Sequence, residues 1–357
     1  ARVEGATFVL GWFALLPWLA ALERVRGFPT ALLAGLLLCE LFTLAVFFWF
    51  AGAIANYAGV SLSVGVAVLL LCAPLMQPQF LLWPAARLLA RRAGGGRAAV
   101  AIVGAGVYLG SEWLLPKLFA DTLGHGQFPA PRLRQAADLA GAPGLTFALL
   151  LANESLLALL RGPTRAGRRR AAAAFAGLAG ALLLYGEVRL GRLAATRTTE
   201  APLVAGIVQA DISRYARLAE EMGTYDATRM ILDRHFALSR QMLDGQPLEL
   251  LVWPETVYPT TFGAPKSEAG AELDREIAGF VAFNRVPLLF GAYDAEGAEE
   301  YNAALLLQPE GGGDLSLAAH RKAILFPLTE RVPAWLDHAS VRARLPWLGT
   351  WRGGGVA

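Results

Sequence analysis

Residues 161–209 read RGPTRAGRRRAAAAFAGLAGALLLYGEVRLGRLAATRTTEAPLVAGIVQ. Five arginines lead into Ala171–Leu190, an apolar stretch close to the ~20 residues a helix needs to cross the ~30 Å hydrocarbon core of a bilayer. A short polar stretch, Leu193–Ala201, ends at Pro202 and reads as a linker. Val204–Gln209, short, apolar and β-branched, then reads as a strand. A membrane-type helix therefore gives way to an α/β pattern within fifty residues. The chain divides into a helical bundle over residues 1–194 and a second domain over 195–357.

On the N-terminal side lie five more apolar stretches: Thr7–Leu22, Thr30–Phe50, Leu62–Trp83, Ala98–Leu115 and Leu139–Leu160. With Ala171–Leu190 they predict six transmembrane spans. Loop charge alternates across them. Arg24 and Arg26, then Arg87, Arg91, Arg92 and Arg97, then Arg161, Arg165, Arg168, Arg169 and Arg170 fall on one side. The opposite loops carry none (Ala51–Ser61) and three basic residues (Lys117, Arg132, Arg134). The positive-inside bias makes the arginine side cytoplasmic and delivers the second domain to the outside. Arg168–Arg170 could instead bind anionic lipid headgroups, although topology alone accounts for them.

Composition agrees. Of 357 residues, 55% are hydrophobic and 17% charged, against roughly a quarter in an average soluble chain. Mean hydropathy is +0.44. A disordered protein is excluded, and a purely soluble one is disfavoured. The net charge of +3 comes from 32 basic and 29 acidic residues, without the concentrated basic face of a nucleic-acid binder. Cys39 and Cys72 are too few for a disulfide framework or a Cys-cluster zinc site, and the four histidines lack metal-ligand spacing. No metal site is expected from these residues.

In the second half, Glu220–Leu243 and Glu268–Asn284 have helical spacing, and Leu248–Trp253, Val286–Tyr293 and Ala303–Gln308 read as strands. The alternation predicts stacked α/β layers, with reactive groups on loops past strand ends. Glu255 stands there, in WPETVYP (Trp253–Pro259). Flanked by Trp253 and two prolines, it is expected to be partly desolvated and suited to a general base, unless it is simply a surface residue of a Pro-bounded loop. Lys322, in HRKAILFPLTERVP (His320–Pro333), could stabilise an oxyanion from a strand edge, or be a solvated neighbour of Arg321. Glu330 could orient Lys322, line a pocket or pair with Arg331. Covalent acyl chemistry needs a nucleophile besides. Cys39 and Cys72 lie inside apolar helices, and Ser213, Ser239, Ser267, Ser316 and Ser340 lie in no G-x-S-x-G elbow. Glu40, Glu112, Asn153, Glu154 and Glu187 interrupt the apolar stretches, where charges are costly and often functional; Glu112, Glu154 and Glu187 lie near segment ends and are expected to reach water or a neighbouring helix. His125 is expected to shape its loop.

The order of these motifs resembles the apolipoprotein N-acyltransferases, membrane-bound members of the nitrilase superfamily. FFWFAGAIANYAG (Phe47–Gly59), SEWL (Ser111–Leu114), QAADLAGAPGLTFALLLANESL (Gln135–Leu156), AGIVQADI (Ala205–Ile212), WPETVYP, YNAALLL (Tyr301–Leu307) and RKAILFPLTERVP carry the resemblance across nearly the whole chain. It implies a membrane bundle plus a periplasmic nitrilase-like αββα sandwich in the bacterial inner membrane. Glu255 would be the general base, Lys322 the oxyanion stabiliser and Glu330 the second glutamate of the acyl intermediate's site. Trp253, Tyr258 and Asn302 would line the substrate pocket. The implied reaction moves the sn-1 acyl chain of a phospholipid, through a cysteine thioester, to the α-amine of a diacylglyceryl-cysteine lipoprotein. The partners are membrane lipid, that phospholipid donor and that lipoprotein acceptor, and no nucleic acid; the implied reaction needs no metal or organic cofactor.

Two departures stand out. Leu328-Thr329 replaces the Phe-Gly that usually precedes the family's second glutamate. The family's nucleophilic cysteine falls beyond Ala357, so this polypeptide is expected to be a fragment, inactive by itself and short of one span at each end. A membrane-tethered nitrilase-type amidase and a non-catalytic lipid- or lipoprotein-binding relative are the alternatives.

Overall fold

The computed structural model describes residues 6–115, 117–196, 202–212, 215–297, 299–326, 330–332, 337–344, 351 and 353–355. The chain forms two compact units, Ala1–Thr198 and Thr199–Ala357. Most of the expected linker and the Leu328-Thr329 departure lie outside the described residues.

The first unit is helical. A 3-10 turn, Ala6–Trp12, precedes α1 (Leu16–Leu22), α2 (Phe28–Ala58), α3 (Leu62–Met76), α4 (Gln79–Arg92), α5 (Arg97–Leu114), α6 (Pro131–Arg134), α7 (Ala137–Arg161) and α8 (Arg165–Ala195). Local chemistry sets their ends. Pro29 occupies the first turn of α2, where its missing N–H costs nothing, and Gly59 ends that helix at φ 65°. Ser61 caps α3 by accepting from the Val64 N–H.

Three helices are long and apolar enough to cross a bilayer: 28–56 within α2, α7 and α8. The membrane character read from the sequence is present, but the count of six is not reproduced by single helices. The Leu62–Trp83 stretch is broken into α3 and α4, which bend by 46° where Gln77 leaves helical geometry before Pro78; as one broken span they make a fourth. Thr7–Leu22 is a 3-10 turn and a short helix joined through Phe13–Leu15. In α5, Arg97, Ser111 and Glu112 dilute the apolar run, and it is not among the qualifying helices.

Polar groups in this unit bind helices together. Asn153, fully buried, accepts from the Leu15 N–H (3.0 Å) and donates to the carbonyls of Gly11 (2.9 Å) and Leu149 (2.8 Å). Glu154 pairs with Arg87 from α4, Glu112 with Lys117 and Glu187 with Arg132. The His125 Nδ1 accepts from the Thr122 N–H, closing its turn as expected.

The second unit is a mixed sheet carrying a layer of helices. Its strands are β1 (Ala205–Ile207), β2 (Leu250–Val252), β3 (Tyr258–Thr261), β4 (Leu288–Glu296), β5 (Glu299–Pro309) and β6 (Leu315–Arg321). The order is β1-β2-β4-β5-β6, with β3 also beside β4; β1, β2 and β3 pair in parallel, while β5 runs antiparallel to β4 and β6. Helices α9 (Tyr215–Met222), α10 (Thr224–Gly245) and α11 (Glu268–Asn284) interleave with the strands, and α12 (Ala339–Arg344) follows them. Ile231, Leu232 and Phe236 of α10 and Ile277, Phe280 and Val281 of α11 close over Leu251, Leu288, Phe290 and Leu305 of the sheet. This α/β layering matches the expectation. The second sheet and outer helix layer of an αββα sandwich are not present among the described residues. The helix expected over Glu220–Leu243 is divided at Gly223 (φ 93°), a backbone state that glycine alone adopts cheaply. Strands β3 and β6 lie outside the runs that read as strands in the sequence.

Candidate active site

The parallel strands β2 and β4 set the position of Glu255. β2 ends at Val252, and Trp253-Pro254 run alongside the first half of β4, where the Trp253 N–H donates to the Leu289 carbonyl (2.8 Å) and the Gly291 N–H to the Pro254 carbonyl (3.2 Å). A Cβ on Gly291 would stand 2.3 Å from the Thr256 nitrogen and 2.6 Å from the Glu255 Cα. Only glycine lets the two segments approach so closely. Thr256 has φ 57°, so the turn bearing Glu255 is also strained.

The antiparallel strands supply the other groups. Asn302 lies in β5, opposite Tyr293 of β4. Lys322 follows β6 directly, and its N–H donates to the Asn302 carbonyl (2.7 Å), extending the ladder by one rung. The chain then turns back through Phe326 to Glu330, whose N–H donates to the Phe326 carbonyl (3.0 Å).

Four side chains meet in a closed ring. The Lys322 Nζ donates to Oε1 of Glu255 (3.0 Å) and to Oε1 of Glu330 (2.8 Å). The Asn302 Nδ2 donates to the same two oxygens, at 2.9 and 3.0 Å. The two glutamates are not equivalent. Oε2 of Glu330 accepts from the Phe326 N–H (2.6 Å), so both its oxygens are engaged. Oε2 of Glu255 accepts no hydrogen bond among the described residues, and that side chain is 62% exposed against 17% for Glu330.

Electrostatics follow this geometry. Partial burial works to raise the Glu330 pKa, but hydrogen bonds from Lys322, Phe326 and Asn302 outweigh it and hold the carboxyl below its ordinary value. Burial works to lower the Lys322 pKa; its bonds to Glu330 and Glu255 overcome that and raise it. Glu330 is thus fixed as an anion and Lys322 as a cation. Two of the three ammonium protons are committed, leaving one for a developing oxyanion. Glu255 presents a free carboxylate oxygen beside that donor. Tyr293 lies close by, its ring 4.3 Å from that of Trp351; burial first, then Tyr215, Glu300 and Glu330, push its phenol up to about 12.

Glu255, Lys322, Glu330 and Asn302 are therefore brought together. Glu255 departs from the expectation of desolvation: hydrogen bonding and backbone packing hold it, not burial. Trp253 and Tyr258 are placed differently from the pocket-lining positions expected. Both are buried in the core: Trp253, just past β2, packs against Phe236 of α10 and Phe280 of α11, and Tyr258 lies in the inward-facing start of β3. The Trp253 Nε1 donates to Ser239 (2.9 Å), and the Tyr258 hydroxyl to Asp274 (2.6 Å). They support the loop from beneath. Gly291 is a structural requirement of the site whose one signal in the sequence is a glycine inside the strand run LLFGAY, a mark of close backbone approach. The described residues hold no cluster of His, Cys, Asp and Glu able to bind a metal ion.

Residues 5–154 match the model of the apolipoprotein N-acyltransferase N-terminal domain. An apolipoprotein N-acyltransferase from Chlorobaculum tepidum is 28% identical over 93% of this chain and 63% of its own length. One from Geobacter metallireducens is 27% identical over 91% and 60%, and one from Rhizobium leguminosarum bv. trifolii is 30% identical over 67% and 44%. The chain spans about three-fifths of the length of the first two.

Proposed function

This chain is a relative of the apolipoprotein N-acyltransferases, and we propose on that premise that it serves acyl transfer from a phospholipid to the α-amine of a diacylglyceryl-cysteine lipoprotein. The observation carrying the reading is the ring, in which an exposed carboxylate oxygen and an uncommitted ammonium proton share one site. Glu255 takes the proton of a cysteine thiol. The thiolate attacks the sn-1 ester carbonyl, and the charge developing on its oxygen is met by the free proton of Lys322. The carbon–oxygen bond breaks, the glycerol oxygen takes the proton from Glu255, and a thioester and lysophospholipid result. The lipoprotein amine then attacks the thioester. The nitrogen–carbon bond forms, the carbon–sulfur bond breaks, and the amine proton returns through Glu255 to the sulfur. Glu330 and Asn302 hold base and ammonium in register. The reading requires a cysteine thiol in addition to the four groups of the ring.

The mixed sheet with its helices is read as part of a nitrilase-like sandwich on the periplasmic face of the bacterial inner membrane. Both substrates are lipid-anchored. A site away from the bilayer would have to withdraw acyl chains at about 0.8 kcal/mol per CH₂, which a membrane-borne site avoids.

The test uses membranes expressing the gene with whatever follows codon 357. Mass spectrometry follows acylation of a diacylglyceryl lipopeptide from a phospholipid donor. Wild type forms the N-acylated product, and Lys322→Met and Glu255→Gln lower the rate by about a hundred- to thousand-fold. Full activity in either variant, or release of ammonia from small amides without acyl transfer, overturns the reading.

A further inference from the structure

The arginines expected on one side of the helical unit divide into two groups by what they touch. Five are committed within the protein. Arg91 donates to the carbonyls of Leu22 and Val25 (both 2.8 Å), and Arg92 to that of Arg26 (2.8 Å). Arg161 reaches the Ala20 carbonyl (3.2 Å) and Glu23 (3.5 Å), Arg97 pairs with Glu23 (3.4 Å), and Arg87 with Glu154. The bonds of Arg91, Arg92 and Arg161 satisfy carbonyls left over at the end of α1 and its following turn.

Arg165, Arg168, Arg169 and Arg170 have no such work. All four are exposed, and none has an acidic partner among the described residues. They occupy the first two turns of α8, which contain no acidic residue, behind the Thr164 cap that accepts from the Gly167 N–H (3.0 Å). Arg165, Arg168 and Arg169 are spaced i, i+3 and i+4, so they share one face and repel one another. The positive end of the helix adds to that repulsion. The stem of Arg168 packs over the turn from α7, its Cγ 3.1 Å from where a Gly162 Cβ would stand. Directly after Arg170 begins the apolar run of α8, the least buried of the candidate spans at 11%. Exposed arginines thus ring the end of a helix whose sides are bare hydrocarbon surface.

We propose that this end of α8, with the exposed Arg24 and Arg26 of the turn that Arg161 ties to α7, is a binding surface for anionic phospholipid headgroups. An anionic lipid satisfies both parts at once: its phosphate neutralises guanidiniums that the protein leaves unpaired, and its chains cover the adjacent apolar flank. The inference is independent of acyl transfer.

The purified full chain is titrated with phosphatidylglycerol and with phosphatidylcholine of the same chains, and bound lipids are counted by native mass spectrometry. Wild type prefers phosphatidylglycerol. The triple variant Arg165→Gln/Arg168→Gln/Arg169→Gln lowers that preference on the order of a hundredfold, from roughly 1 kcal/mol per surface arginine. A charge-matched control, Arg234→Gln/Arg275→Gln/Arg285→Gln, keeps it. Inorganic phosphate alone does not compete at millimolar concentration. If the triple variant fails to insert, wild type decides the matter: its preference must fall steeply between 50 and 500 mM salt on the order of the screening length. Equal retention of both lipids, a salt-independent preference, or equal loss in the control overturns the proposal.

Discussion

The inequality between Glu255 and Glu330 can be tested by giving both the same substitution. Three donors surround Glu330: Lys322 Nζ and Asn302 Nδ2 on one oxygen, and the Phe326 N–H on the other. In Glu330→Gln one of these oxygens becomes an NH₂ group. Whichever way the amide turns, at least one donor faces a donor. The loss is one charge-assisted hydrogen bond, roughly 1.5–3 kcal/mol, with the rest of the ring weakened by removal of the charge. Partial exposure trims this to about 2 kcal/mol. Glu255→Gln differs. The Gln carbonyl can face Lys322 and Asn302, and its NH₂ can take the place of the unbonded Oε2, facing water. Its cost in stability is expected below about 1 kcal/mol. The first assay is thermal unfolding at a fixed scan rate in one detergent, where Glu330→Gln should unfold several degrees earlier than Glu255→Gln. The second uses the small number of lysines: Lys117, Lys266 and Lys322 are the only three. Labelled with ¹⁵N at Nζ, Lys322 can be followed through its titration, and its pKa should fall in both variants. Equal thermal stability of the two, or a Lys322 titration unmoved by either, refutes the ring as described.

Gly291→Ala should displace the Glu255 turn, because its Cβ would lie 2.3 Å from the Thr256 nitrogen and 2.6 Å from the Glu255 Cα; loss of the proposed acyl transfer with accelerated hydrogen exchange at 255–257 is the expected readout. Arg87→Leu should destabilise the helical unit by roughly 3–5 kcal/mol by leaving Glu154 buried without its partner, while Arg87→Leu/Glu154→Leu recovers most of the loss in a thermal scan. The pH dependence has two limbs. Glu330, with its pKa lowered, stabilises above the ordinary value of 4.5 and loses that contribution as pH falls through its folded value. Lys322, with its pKa raised, stabilises below 10.5 and loses it as pH rises through its own. Protease resistance measured across pH should show both limbs in wild type and lose the acid limb in Glu330→Gln.

The elements legible in the sequence are those with long, unambiguous patterns. Glu268–Asn284 is a helix with those same ends because Ser267 caps it and Arg285 turns left-handed after it. Strand β6 is not legible because LSLAAHR has no β-branched or aromatic residue, and only its pairing with β5 makes it a strand. The break at Gln77-Pro78 was invisible to hydropathy, which measures apolar content and not whether the helix is continuous. Glu255, Lys322 and Glu330 were singled out from their contexts, but their meeting depends on strand order, which no local pattern contains. The part played by Asn302 was fainter still: its one local sign is an amide inside the apolar run YNAALLL, kept buried because it answers two carboxylates.

The rung joining Asn302 to Lys322 also bears on which changes of length this unit can survive. Side chains alternate along a strand, so deleting one residue between 302 and 309, or between 315 and 322, would turn amide and ammonium to opposite faces. The bend at Glu310–Asp314, exposed and rich in glycine, has no such constraint. Across descendants of this sequence, insertions should accumulate in that bend while the two arms keep a fixed residue count.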